Sequence, residues 1–199
     1  MKEYIIAKKS ENMNWDKVTP APINCSLWTP DVGITAEAKV CYDADALYVR
    51  LRANEVHICA EETGPVGMPC LDSCLEFFFC PVAGNNTYFN IEMNPNRCMY
   101  LGIGTDRYDL IRLLPHGDNF FNAEVTRDPE GWTINYVIPV AFIQRFFPEF
   151  RAESGWKIRG NFFKCGDNTV KPHHYAWSPV EVEKQDFHRS DFFGTMIFE

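Results

Sequence analysis

Ala46-Leu47-Tyr48-Val49-Arg50-Leu51-Arg52-Ala53 alternates apolar and polar residues one by one. On an extended backbone successive side chains point to opposite faces. Leu47, Val49 and Leu51 therefore line one face, and Tyr48, Arg50 and Arg52 the other. A period of two marks a half-buried strand; a helix would need apolar residues three or four apart. Just upstream, Asp43-Ala44-Asp45 supplies a polar turn back to a strand over 38–42.

The same pattern recurs outward from this hairpin. Residues 72–80 put Leu75, Phe77 and Phe79 on one face and Asp72, Cys74, Glu76 and Phe78 on the other. After a turn over 81–86, residues 88–94 point Phe89, Ile91 and Met93 one way and Asn90, Glu92 and Asn94 the other. Further strands fit 98–103, 108–113, 121–126, 132–138, 156–164 and 192–198. One helix is expected. Pro139 suits a first helical position, Val140, Ile143, Phe146 and Phe147 form a short apolar stripe, and Pro148 ends it. Short connections favour antiparallel pairing over a parallel sheet with helical crossovers. The expected fold is an all-β, antiparallel β-sandwich of the jelly-roll or immunoglobulin-like kind, with one short helix, and residues 1–199 form a single domain.

Composition narrows the partners. Of 199 residues 46% are hydrophobic and 15% aromatic, enough for a large core with rings to spare for ligand stacking. A net charge of −8 disfavours nucleic acid and anionic membrane surfaces but leaves neutral ligands open. The start, MKEYIIAKKSENMNW, has no signal-like apolar segment, and no stretch is apolar enough to span a bilayer. A cytoplasmic location is expected for the chain as given, with export open if its start has been processed. The eight cysteines contain no C-x-x-C pair, and Cys70, Cys74 and Cys80 match no common zinc spacing. Cys41, Cys74, Cys80 and Cys165 sit in apolar runs and are expected to be reduced core thiols.

If 72–80 and 88–94 pair as a hairpin, Asp72, Glu76, Asn90, Glu92 and Asn94 share one sheet face. That is too much charge for a face buried between two sheets, so it is expected to face solvent or line a groove, with Arg97 at its rim. Carboxylates, amides and Arg each offer paired hydrogen-bonding atoms suited to vicinal hydroxyls. Glu76 and Glu92, as cross-strand neighbours about 5 Å apart, are the only pair with glycosidase spacing, and nothing in the surrounding sequence points to a raised carboxyl pKa or a water-excluding cleft. His173 and His174 are adjacent and face opposite ways. Trp132 and Trp156 open alternating strands and are expected in the core. Trp177, in the Pro-bounded Ala176-Trp177-Ser178-Pro179, is either a stacking platform on a loop or a ring that tucks that loop onto the sandwich.

These pieces, in order, resemble the family 9 carbohydrate-binding modules within the wider DOMON-like group of sandwiches. The resemblance rests on Tyr42-Asp43-Ala44-Asp45-Ala46-Leu47-Tyr48-Val49 with Glu55 beyond, on Asp72-Ser73-Cys74-Leu75-Glu76-Phe77-Phe78, and on Tyr88–Asn94 with Arg97. Gly131-Trp132 through Pro139, residues 156–161, Trp177-Ser178-Pro179, Phe187-His188 and Phe193-Gly194 complete it. It implies a non-catalytic domain that binds a mono- or oligosaccharide, often at chain ends, between aromatic rings. Trp177 stands where one ring is expected, and Asp72, Glu76 and Arg97 where polar contacts are, with Glu92 and Asn94 beside them. The chain departs from the pattern before Asp72, where residues 63–71 hold no aromatic; Tyr100 and Tyr108 are the substitutes at hand. The resemblance also implies structural calcium, for which Asp43, Asp45 and Asp72 are the donors on offer. Two alternatives remain: haem held by Met93, Met99 and His188, as in some DOMON relatives, or a glycoside-active enzyme using Glu76 and Glu92.

Overall fold

The computed structural model describes residues 2–114, 116–117 and 119–199. In chain order the strands are β1 (Glu3–Lys8), β2 (Ala21–Ile23), β3 (Cys25–Ser26), β4 (Thr35–Tyr42), β5 (Ala46–Asn54), β6 (Cys74–Cys80), β7 (Tyr88–Met93), β8 (Met99–Gly104), β9 (Ile111–Arg112), β10 (Glu124–Asp128) and β11 (Gly131–Pro139). After α1 (Val140–Gln144) come β12 (Lys157–Gly166), β13 (His173–Ala176) and β14 (Gly194–Phe198).

The strands form two layers. One runs β10-β11-β5-β4 with β2 beside β4, and the other runs β14-β12-β6-β7-β8-β9 with β13 and β3 beyond β12. β1 stitches them together: residues 3–6 pair with β14, and Ala7 and Lys8 pair with β4. Both of these pairings are parallel, the exception to an otherwise antiparallel sandwich. β1 comes from the N-terminal stretch, where Tyr4 and Ile6 are buried while Ile5 between them is half exposed.

The expected hairpins are present and their local causes are visible. The Asp43 carboxylate accepts from the backbone N–H groups of Asp45 and Ala46, both at 3.0 Å, which closes the β4–β5 turn. β11 pairs with β5, so Trp132 lies opposite Ala53 and Ile134 opposite Leu51. α1 begins one residue later than expected, with Pro139 as its cap, and Phe146 and Phe147 follow it. Of the expected strand over 108–113, only Ile111 and Arg112 pair.

Two apolar layers result. The main core lies between the sheets and includes Leu47, Val49, Phe77, Phe79, Phe89, Trp132, Ile134 and Phe162. Each such side chain contributes about 1.5–3 kcal/mol on burial. A second layer covers the outer face of the β12-β6-β7 sheet, where Cys74, Phe78, Tyr88, Phe163 and Cys165 pack under Leu27, Val180, Phe187 and Phe193. β6 and β7 are therefore buried on both faces along their whole length. Trp132 lies in the core as expected; Trp156 is half-buried at its edge, donating through Nε1 to the Pro81 carbonyl at 3.0 Å.

Trp177 also belongs to the main core. Its ring is 3% exposed, meets Tyr4 edge-on at 6.2 Å and lies 5.9 Å from Phe162. The stacking-platform reading is corrected to the other alternative. Trp177 directly follows β13, and its backbone N–H donates to the Phe162 carbonyl at 2.9 Å, which turns the indole into the sandwich.

Candidate functional site

The outer face of the second sheet carries the chemistry. Cross-strand register sets Tyr100, Glu92, Glu76 and Phe163 in one row across β8, β7, β6 and β12. A second row runs Cys74, Cys165, His174 across β6, β12 and β13. Between these rows and the loops above lies a pocket of about 280 Å³, walled by Glu76, Asn90, Glu92, Tyr100, Cys165 and His174 from the sheet. Met68, Cys70, Arg107, Leu110, Asp167, Gln185, Phe187 and His188 close it from the loops. Both outcomes expected for this polar face are modified: most of it is covered rather than open to solvent, and only the Glu76–Asn90–Glu92 part lines a groove.

The pocket concentrates unmet hydrogen-bonding capacity. Among the described residues, seven buried side-chain N or O atoms lack a partner. Four of them, Glu76 Oε2, Asn90 Oδ1, Glu92 Oε2 and His174 Nδ1, belong to residues that line this pocket. An orphaned buried polar atom costs about 1–3 kcal/mol. Asn90 Nδ2 donates to Glu92 Oε1 at 3.0 Å, and His174 Nε2 faces Asp167 Oδ1 at 2.9 Å and Gln185 Nε2 at 2.6 Å, so the remaining atoms are held in place by bonds on their other side.

Glu76 and Glu92 stand directly opposite each other, as expected. Burial and the neighbouring Glu92 charge push Glu76 well above the usual carboxyl range. Burial pushes Glu92 up to about 7, against the hydrogen bond from Asn90. Raised carboxyls are thus present, beside a half-open pocket; loops remote in sequence bury them. Burial also raises the Cys74 thiol, and its hydrogen bond with Cys74 raises Cys165 further. Tyr100 presents one ring face to the Arg112 guanidinium at 4.5 Å. Tyr108 is 92% exposed.

The other expected contact residues stand elsewhere. Asp72 and Asn94 are buried, but their polar atoms hold a loop. Asp72 Oδ2 accepts from the backbone N–H of Glu61 and Glu62 at 2.9 and 2.8 Å and from Asn94 Nδ2 at 2.7 Å. Asn94 Oδ1 accepts from the N–H of Asn96 and Cys98. Arg97 is exposed, in the left-handed backbone region at φ 63°, and borders a separate hollow of about 570 Å³ of mixed lining, apolar from Met93, Leu113, Phe120 and Phe121 and polar from Asn96, His116 and Asn119. The single site expected from Trp177, Asp72, Glu76, Glu92, Asn94 and Arg97 therefore divides: Glu76 and Glu92 line the pocket, and the other four do not. Tyr100, His174, Gln185 and Phe187 join them instead. Of these Tyr100 carried a signal in the sequence as a stand-in ring and Phe187 as part of the family pattern, while His174 and Gln185 carried none for a site.

The sequence profile of carbohydrate-binding family 9 matches residues 7–198. The chain belongs to carbohydrate-binding family 9. This is a family of non-catalytic carbohydrate-binding modules, so the alternative of a glycoside-active enzyme using Glu76 and Glu92 is set aside for this family 9 chain. Solved structures share the fold across the whole chain. A Bacteroides uniformis protein described as carbohydrate-binding has a TM-score of 0.79 at 21% identity, covering 100% of this chain and 99% of its own. A family 9 module from Caldicellulosiruptor kristjanssonii in complex with cellotriose gives 0.68 at 13% identity, covering 100% and 94%. The module from that organism in complex with glucose gives 0.70 at 13%, covering 100% and 96%. No curated protein matches the chain.

Two further expectations for the module meet the geometry. Asp43, Asp45 and Asp72 form no calcium cage among the described residues. Asp43 is taken up by its turn, by Lys9 at 3.0 Å and by Tyr48 at 2.8 Å, and Asp72 by its loop. The haem ligands are split by the sheet: Met93 and Met99 pack with the main core, whereas His188 lies on the outer face against Phe78, with Nδ1 2.9 Å from Tyr88 Oη.

Proposed function

We propose that this module binds one sugar ring in the pocket on the outer face of β6 and β7, with Glu76, Asn90 and Glu92 bonding its hydroxyls and Tyr100 and Phe187 as its aromatic walls. The observation that carries the reading is that four side chains with an unpartnered buried N or O atom, Glu76, Asn90, Glu92 and His174, all line one pocket. A sugar hydroxyl donates and accepts at once, so it satisfies a carboxylate, a carboxylic acid or an amide oxygen equally well. The rings supply the apolar contact that a sugar's C–H face needs. The relatives bound to glucose and cellotriose support the ligand class.

The test is a thermal-shift screen with glucose, cellotriose and a panel of other sugars, followed by calorimetry on hits. A ligand specific to the native state raises Tm by mass action. Glu76→Gln and Glu92→Gln should weaken the response, and Arg97→Ala should leave it unchanged. A panel without a single stabilising sugar, or binding indifferent to both Glu substitutions, overturns the reading.

A further inference from the structure

Beside Glu76, at the wall of the pocket, the sheet brings together two thiols that sugar binding does not need. Cys74 and Cys165 are directly opposed residues of β6 and β12, and Glu76 follows two residues after Cys74 on the same face. One donor atom from each lies within 4.8 Å of the others. Cys165 Sγ donates to Glu76 Oε1 at 3.0 Å, and Glu76 Oε2 has no partner among the described residues although Glu76 is 1% exposed. If the thiols were only small core hydrophobes, apolar neighbours would serve them better than a buried carboxyl.

We propose that Cys74, Cys165 and Glu76 bind a thiophilic divalent cation of the zinc class at the wall of the pocket. Two sulfurs and one carboxylate oxygen are a donor set that zinc accepts and that calcium and magnesium do not favour. Three protein donors leave the fourth position of a tetrahedral ion to water or a small ligand. The pocket, which both Cys165 and Glu76 line, is the route of entry. Binding expels both thiol protons, and the proton of the Glu76 carboxyl wherever it is held, to solvent as the three groups become thiolates and carboxylate. The inference shares Glu76 with the sugar site but does not depend on sugar binding.

Cobalt(II) is the probe. The purified chain is reduced with a phosphine, its eight cysteines are confirmed as free by thiol titration, and it is titrated with cobalt in the absence of sugar. Saturation at one ion per chain is expected, with a sulfur-to-cobalt charge-transfer band, the visible bands of a tetrahedral ion, and loss of both on adding zinc. Cys74→Ser and Cys165→Ser each weaken or remove the charge-transfer band. Glu76→Gln keeps it but needs more cobalt, and Cys25→Ser, outside the cluster, matches the parent. Should the buried Cys variants fail to fold, X-ray absorption at the zinc edge of the unmodified chain decides the matter: sulfur scatterers support the site, and an all-oxygen or nitrogen shell refutes it. A reduced, folded chain with no charge-transfer band, or a band unaffected by both Cys changes, overturns the proposal. A parallel thermal shift with glucose and cellotriose in chelator separates the two readings. Sugar binding without the cobalt band removes the metal site alone, and the band without a sugar response removes the sugar site alone.

Discussion

Glu92→Gln should make the free module more stable at alkaline pH and leave it nearly unchanged in acid. Burial raises the Glu92 carboxyl from 4.5 to about 7 in the fold. Below pH 4.5 the group is protonated in both the folded and unfolded chain and costs nothing. Between those values the folded state holds a proton that the unfolded state releases, so stability falls as pH rises. Above pH 7 the folded module carries a buried carboxylate. At about 1.4 kcal/mol per pH unit across that interval, the cost reaches about 3 kcal/mol. Gln cannot ionise, and its amide oxygen can still accept from Asn90 Nδ2. At roughly 2–4 °C per kcal/mol for a chain of this length, the variant should melt about 6–12 °C higher at pH 8. The assay is differential scanning fluorimetry or calorimetry of both proteins from pH 4 to pH 8. A gain at pH 8 that persists undiminished at pH 4, or no gain at either, would refute the reasoning, because either result would mean that the carboxyl is not ionising at a cost inside the fold. The pH-dependent gain with loss of sugar binding would show a binding group retained at the expense of stability.

Three other outcomes test the packing. Lys164 and Glu55 are buried and meet at 3.2 Å, with Trp132 Nε1 also donating to Glu55 at 3.2 Å. Lys164→Met should cost about 3–5 kcal/mol in chemical denaturation by stranding the Glu55 charge, and adding Glu55→Gln should recover much of it; equal losses in the single and double variants would contradict this. Gly194→Ala places a Cβ 2.5 Å from the Trp177 ring and 2.8 Å from the Lys2 carbonyl oxygen, so a loss of about 1–3 kcal/mol is expected; an unchanged Tm would mean that the ring is free to move. Asp72→Ala removes the anchor of the Glu61–Glu62 loop, so amide hydrogen exchange at those two residues should accelerate while β4 and β5 stay protected; uniform acceleration would indicate that Asp72 supports the whole sandwich.

The sequence by itself determined the strands and their pairing wherever local physics is sufficient. Alternation over Ala46–Ala53 and an Asp-based turn specify a hairpin within about twenty residues, and a one-residue slip would turn Leu47, Val49 and Leu51 away from the core. The same local logic, two alternating strands joined by a short turn, is enough to set Glu76 opposite Glu92. Tertiary structure decided what covers each face. Residues 180–193 and the chain around Leu27 return over β6 and β12, and they turn a polar face that could have been open into a second buried layer with a pocket at its edge. Trp177 followed the opposite course. Its Pro-bounded surroundings fit a loop equally well, but pairing of β13 with β12 and the gap left by Gly194 draw the ring inward. The approach of Cys165 to Cys74 spans 91 residues and depends on the β6–β12 register, which spacing within either segment does not encode. Period and turn chemistry act over a few residues and are written in the sequence; burial, shifted pKa values and ligand geometry depend on segments that meet only when the sheets close.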